Sequence, residues 1–215
     1  MIPTAVVLAC LFAAGPPARA NPGKNDREAR LRAIRADYEA AFLKELVEVA
    51  KAPEAGKDKL YKAIYDRTLP PFIRRAIALV DENPADDVSF AALVWLMEQQ
   101  AAWNVVEWDQ HPRLFRLIEK HHAHRPDLAP VIDLVSWLAL DKDDKVGGDM
   151  KVKLLTRLLD ESRHEAVRGL ACLKLGEWAF HDYDRAVTRA DPDPSVVARA
   201  AAEAERLLVR VEKEF

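Results

Sequence analysis

The sequence predicts an all-α protein of stacked antiparallel helical hairpins, a right-handed solenoid-like or irregular α-α superhelix. Three observations predict it. From Asn21 onward, apolar residues recur three and four apart almost throughout, with no sustained polar/apolar alternation. The stretches "LVDENPADDVSFAALVWL" (79–96) and "LLDESRHEAVRGLACLKL" (158–175) align without a gap, matching at Leu79/Leu158, Asp81/Asp160, Glu82/Glu161, Val88/Val167, Ala92/Ala171 and Leu96/Leu175. Between them, "LIEKHHAHRPDLAPVIDLVSWLAL" repeats the grammar of a helix end, a polar break and a second amphipathic helix, with Leu117 lying 38 residues after Leu79 and 41 before Leu158.

A period near 40 residues is tetratricopeptide- or HEAT-like: no hairpin buries its apolar face alone, and neighbours complete the core. The tetratricopeptide consensus itself is not visible. Residues 1–20 read as a signal peptide and 21–215 as a single all-helical domain. Its first helix, about 26–51, opens on a capping box of Asn25 and Glu28 and carries the stripe Leu31, Ile34, Tyr38, Phe42, Leu46, Val49. "APEAGK", with Pro53 and Gly56, breaks it. A short helix over 57–67 follows, and Pro71 opens the next after the Pro70-Pro71 interruption. The hairpins span about 71–102, 110–140 and 148–180, and a final helix spans 194–215. "DKDDKVGGD" (141–149), with Gly147-Gly148, reads as a solvated connection, since it lacks the alternating ligands and terminal Glu of an EF-hand. "HDYDRAVTRADPDP" reads as a polar loop holding His181, Asp182 and Asp184. Trp95, Trp103, Trp108, Trp137 and Trp178 fall in or beside the helices and read as packing residues.

Hydrophobic residues make up 50% of the 215 and charged residues 31%, enough apolar content for one packed domain. The net charge is -3 with the two signs interleaved, so there is no basic footprint for nucleic acid or an anionic membrane. The uncharged apolar run 5–14, followed by Gly15-Pro16-Pro17 and Ala18-Arg19-Ala20, reads as a secretory signal cleaved before Asn21, placing the protein in the periplasm or outside the cell. A variant reading makes Cys10 the acylated cysteine of a lipoprotein, with a lipid anchor there. The run is too short to span a bilayer after cleavage.

After cleavage only Cys172 remains, and there is no CxxC, so intrinsic thiol-disulfide catalysis lacks its second sulfur. Cys172 sits among Leu170, Ala171 and Leu173 and reads as an inert core thiol. There is no G-x-S-x-G elbow, phosphate-cradling glycine loop or H-E-x-x-H; His164-Glu165 lacks the second histidine. No catalytic residue and no cofactor are expected. The candidate metal ligands are His121, His122 and His124, with His111 upstream and Asp127 as a further donor. Their place matches "DENPAD" and "DESRHE" in the flanking hairpins, which reads as punctuation: polar groups at a helix C-terminus complement the dipole, and Pro126 ends the segment.

"ENPADDVSFAALVWLMEQ" and "SRHEAVRGLACLKLGEWA" resemble the α-helical region ahead of the thioredoxin-like domain in exported bacterial redoxin-domain proteins. The matching positions are Asn83, Pro84, Asp87, Ala91, Ala92, Leu93 and Trp95, then His164, Val167, Gly169, Ala171, Cys172, Leu173 and Leu175. The likeness covers about 33–215. Its motifs are helix-packing signatures, and no active-site residue carries over. In those proteins the last helix leads into a redoxin domain, whereas this sequence stops at Phe215, so the resemblance implies a free-standing module or a shortened relative with an extracytoplasmic accessory role.

The expected function is a non-catalytic interaction scaffold that presents a helical face to a protein or peptide partner. Its alternative is an accessory of envelope thiol chemistry, working with a separate redoxin domain or through Cys172.

Overall fold

The computed structural model describes residues 22–103, 111–137 and 145–215; Cys10 and the rest of the predicted signal, Trp108 and the acidic run 141–144 lie outside them. The described residues are helical with short connections: α1 (Pro22–Lys51), α2 (Glu54–Ala63) running into a π turn (Ile64–Thr68), α3 (Pro70–Glu82), α4 (Asp87–Trp103), α5 (His111–His121), α6 (Ala129–Trp137), α7 (Lys145–Glu161), α8 (Glu165–Val187) and α9 (Pro194–Glu214). No described helix is long and apolar enough to cross a membrane.

Several predicted boundaries move, each because a local stop signal proves compatible with a first helical turn or yields to packing. Pro22 stands at the start of α1, where a missing N–H costs nothing, so Asn25 falls inside the helix and does not cap it. The break after α1 is confined to Ala52 and Pro53; Gly56 lies in α2, its N–H bonded to the Pro53 carbonyl at 2.8 Å. Gly147 and Gly148 lie in the first turns of α7, not in a loop. The polar stretch 181–187 continues α8, because Ala186 stays buried against the protein and Asp182 pairs with Arg185 at 2.6 Å on the solvent side.

The helices pack in an ordered way. α3 lies on α4 and α7 on α8; α4 touches α6, α6 touches α8, and α5 touches α7. α1 packs on α3 and α4, and α9 packs on α8 along most of its length. That last approach is close: a methyl at Gly176 would come within 2.9 Å of Leu208 Cδ2.

One continuous apolar cluster runs through all of this. The aligned positions behave as the alignment predicts, with Val88, Val167, Ala92, Ala171, Leu79 and Leu158 buried and Asp81, Asp160, Glu82 and Glu161 exposed. In α5 the fully buried residue is Ile118, and Leu117 is only partly covered. Tyr38 is buried between rings, edge-on to Trp95 at 5.2 Å and to Phe72 at 6.1 Å.

Candidate functional site

The polar residues of the helix-joining turns converge on one edge. In the α3–α4 turn, Asp86 caps α4 by accepting the Ser89 N–H at 2.8 Å, and the Ser89 hydroxyl donates to the Asn83 carbonyl at 2.6 Å. Arg27 reaches this turn from α1: its guanidinium, largely buried, pairs with the Asp86 carboxylate and donates to the Leu79 carbonyl at 2.5 Å and to Ser89 Oγ at 3.0 Å. One turn along α1, Arg30 grips Glu82 through two bonds of 2.8 and 2.6 Å, which pulls that carboxyl below its usual range.

The next turn stacks on this one through side chains at a near-constant spacing. His122 Nε2 lies 2.8 Å from the Pro84 carbonyl, 38 residues away. A carbonyl only accepts, so Nε2 carries the proton. Arg125 donates to Asp87 at 2.7 Å, again 38 residues away, and also forks onto Asp127 at 2.8 and 2.9 Å. These bonds hold the Arg125 guanidinium firmly charged and Asp127 low, while Arg125 lies 4.2 Å above the Phe90 ring.

The third turn repeats the device on the second. His164 Nε2 meets the His124 carbonyl at 3.1 Å, 40 residues away, and Arg157 reaches Glu119 at 3.3 Å, 38 residues away. α1 and the three turns thus form one rail of charged and imidazole contacts.

This geometry settles where the candidate histidines sit. α5 ends at His121, and the chain then turns, with the His122 N–H on the Ile118 carbonyl at 2.9 Å and the Arg125 N–H on the His122 carbonyl at 3.0 Å. His122 is 1% exposed, against the Phe90 ring at 5.2 Å, whereas His124 is exposed. Burial pushes the His122 pKa down, and the Arg125 charge adds to the effect. The His121 and His122 rings lie 6.4 Å apart and tilted. The His111 side chain lies outside the described residues. Among the described residues, no three histidine, cysteine or acidic side chains converge as a metal site would need.

Cys172 is fully buried in α8, its thiol donating weakly to the Leu207 carbonyl at 3.4 Å, and burial pushes the thiol pKa up. His164 precedes α8 and holds the stack; Asp182 lies on the α8 surface, paired with Arg185. Sequence reasoning missed Arg27, Arg125 and Arg157. The signal that could find the last two is the 38-residue separation itself, which places Arg125 opposite Asp87 and Arg157 opposite Glu119.

Away from the rail, α8 and α9 near their connecting turn flank a groove of about 830 Å³. No protein-family model, no curated protein and no solved structure matches the chain.

Proposed function

We propose that the protein is a non-catalytic, exported α-helical repeat module, a solenoid-like scaffold for a protein or peptide partner. The observation that supports this most directly is the rail: successive turns touch through contacts 38 to 40 residues apart. Such spacing is what a stacked array of helix pairs requires. Tying up that edge in internal contacts leaves the helix faces to meet a partner, and the exposed Leu43 and Val47 of α1 and Phe180 and Val187 of α8 stand on such faces.

Export rests on the apolar run 5–14 and its small-residue ending. A role beside envelope thiol chemistry, which the redoxin resemblance implies, would fall to a separate redoxin domain, because the one described thiol is buried.

The test is site-specific photocrosslinking in the native envelope, with the crosslinker placed in turn at Leu43, Phe180 and Ala200. A discrete adduct at one face supports the scaffold reading; no stable adduct from any face sinks it.

A further inference from the structure

We infer that the α8–α9 groove is the docking site for an acidic peptide segment of the partner, an inference that rests on the scaffold reading. Four arginines line the groove, Arg185, Arg189, Arg199 and Arg206, against two acids, Asp182 and Glu203. Each acid is already committed within its own helix, Asp182 to Arg185 at 2.6 Å and Glu203 to Arg206 at 2.7 Å. Arg189 from the α8 side and Arg199 from the α9 side make no hydrogen bond or ion pair among the described residues; Arg199 only adds to the field that lowers Asp193. Two exposed guanidiniums from opposite walls therefore address one space, in a protein whose net charge is -3.

The rest of the groove's lining explains why the occupant is a peptide. Its apolar lining is alanines with Val196, so small side chains leave room for larger apolar ones to enter, and about 830 Å³ far exceeds what one inorganic anion fills. Guanidinium groups take carboxylates through two parallel bonds, which fixes position as well as charge. A symmetric contact between two copies would set these arginines against themselves, so a second copy is the poorer fit.

The probe is a fluorescein-labelled peptide repeating Leu-Glu-Glu-Ala, titrated with the full chain by anisotropy beside a Leu-Lys-Lys-Ala counterpart. The acidic peptide binds and the basic one does not; Arg189→Glu with Arg199→Glu weakens binding at least tenfold, while Lys44→Glu on α1 leaves it unchanged. Circular dichroism confirms that the double variant is folded, as its two exposed sites allow. No binding of the acidic peptide, equal binding by the double variant, or a dimer that the double variant abolishes would each overturn the proposal. Photocrosslinking separates this from the broader reading: an adduct at Leu43 or Phe180 with none at Ala200 overturns the groove and spares the scaffold, whereas none anywhere overturns both.

Discussion

Replacing His122 by alanine removes more than an exposed turn residue would. The imidazole is 1% exposed, packs on Phe90 and holds the Pro84 carbonyl of the α3–α4 turn at 2.8 Å. The part-buried Pro84 carbonyl, stripped of its donor, costs about 1 kcal/mol, and the vacated ring volume adds a cavity cost of about 2 kcal/mol. The sum is about 3 kcal/mol, or a melting temperature lowered by roughly 6–12 °C in a chain of this length. Differential scanning calorimetry measures it. His122→Gln isolates the bond, since its amide can reach the same carbonyl but cannot ionise. Burial holds the folded pKa below the unfolded value of about 6.5, so between the two the unfolded chain binds more protons. Wild-type stability therefore falls as pH drops through 6.5 towards the folded pKa and stays lowered below it, and His122→Gln flattens that slope. A loss under about 1 kcal/mol in the alanine variant, or identical pH slopes for wild type and His122→Gln, would refute the reasoning.

Three further outcomes follow from other parts of the chain. Arg27→Ala removes the counter-ion of Asp86 and a donor to the Leu79 carbonyl and is expected to cost about 3 kcal/mol in urea denaturation, with Arg27→Lys recovering only part because a single nitrogen cannot reproduce the fork by which Nη1 and Nη2 reach separate acceptors; a cost below about 1 kcal/mol contradicts the clamp. Tyr38→Phe should stabilise the protein by about 1 kcal/mol, because the Tyr38 hydroxyl is buried without a hydrogen-bond partner; destabilisation in the same assay would show that the hydroxyl is satisfied. Cys172 should resist an aromatic disulfide reagent in the native protein and react fully after unfolding, since the thiol is buried and its pKa raised. Rapid stoichiometric labelling of native protein would contradict its burial.

The helices were legible in the sequence because periodicity reports burial, and burial is what most of these side chains experience. Val88 and Val167, or Ala92 and Ala171, could be paired by sequence alone, and the structure buries all four. Helix ends were less legible. Asn25, Gly56 and Gly147 carry the chemistry of helix ends, yet the start of a helix tolerates each, and whether the helix starts before or after them depends on what the turn packs against. The stretch 181–187 is polar enough to read as a loop, but only one side of a helix lying on α9 needs to be apolar, and Ala186 suffices.

The histidine cluster shows why a site can be visible in a sequence while its contacts are not. His121, His122 and His124 are conspicuous together, and their position at a turn between helices followed from the internal alignment. What His122 and His164 bind, however, is a backbone carbonyl, at Pro84 and His124. Every residue has such a carbonyl, so the acceptor leaves no trace in residue identity. The arginine contacts differ: Asp87 and Glu119 are chemical partners that the sequence names, and their distance from Arg125 and Arg157 repeats at 38 residues. A coupling made of one side chain and one backbone group fixes the donor's identity and the acceptor's position. The donors at these turns therefore bear the chemical demand, and the acceptor residues are held only to a conformation that aims the carbonyl at the imidazole.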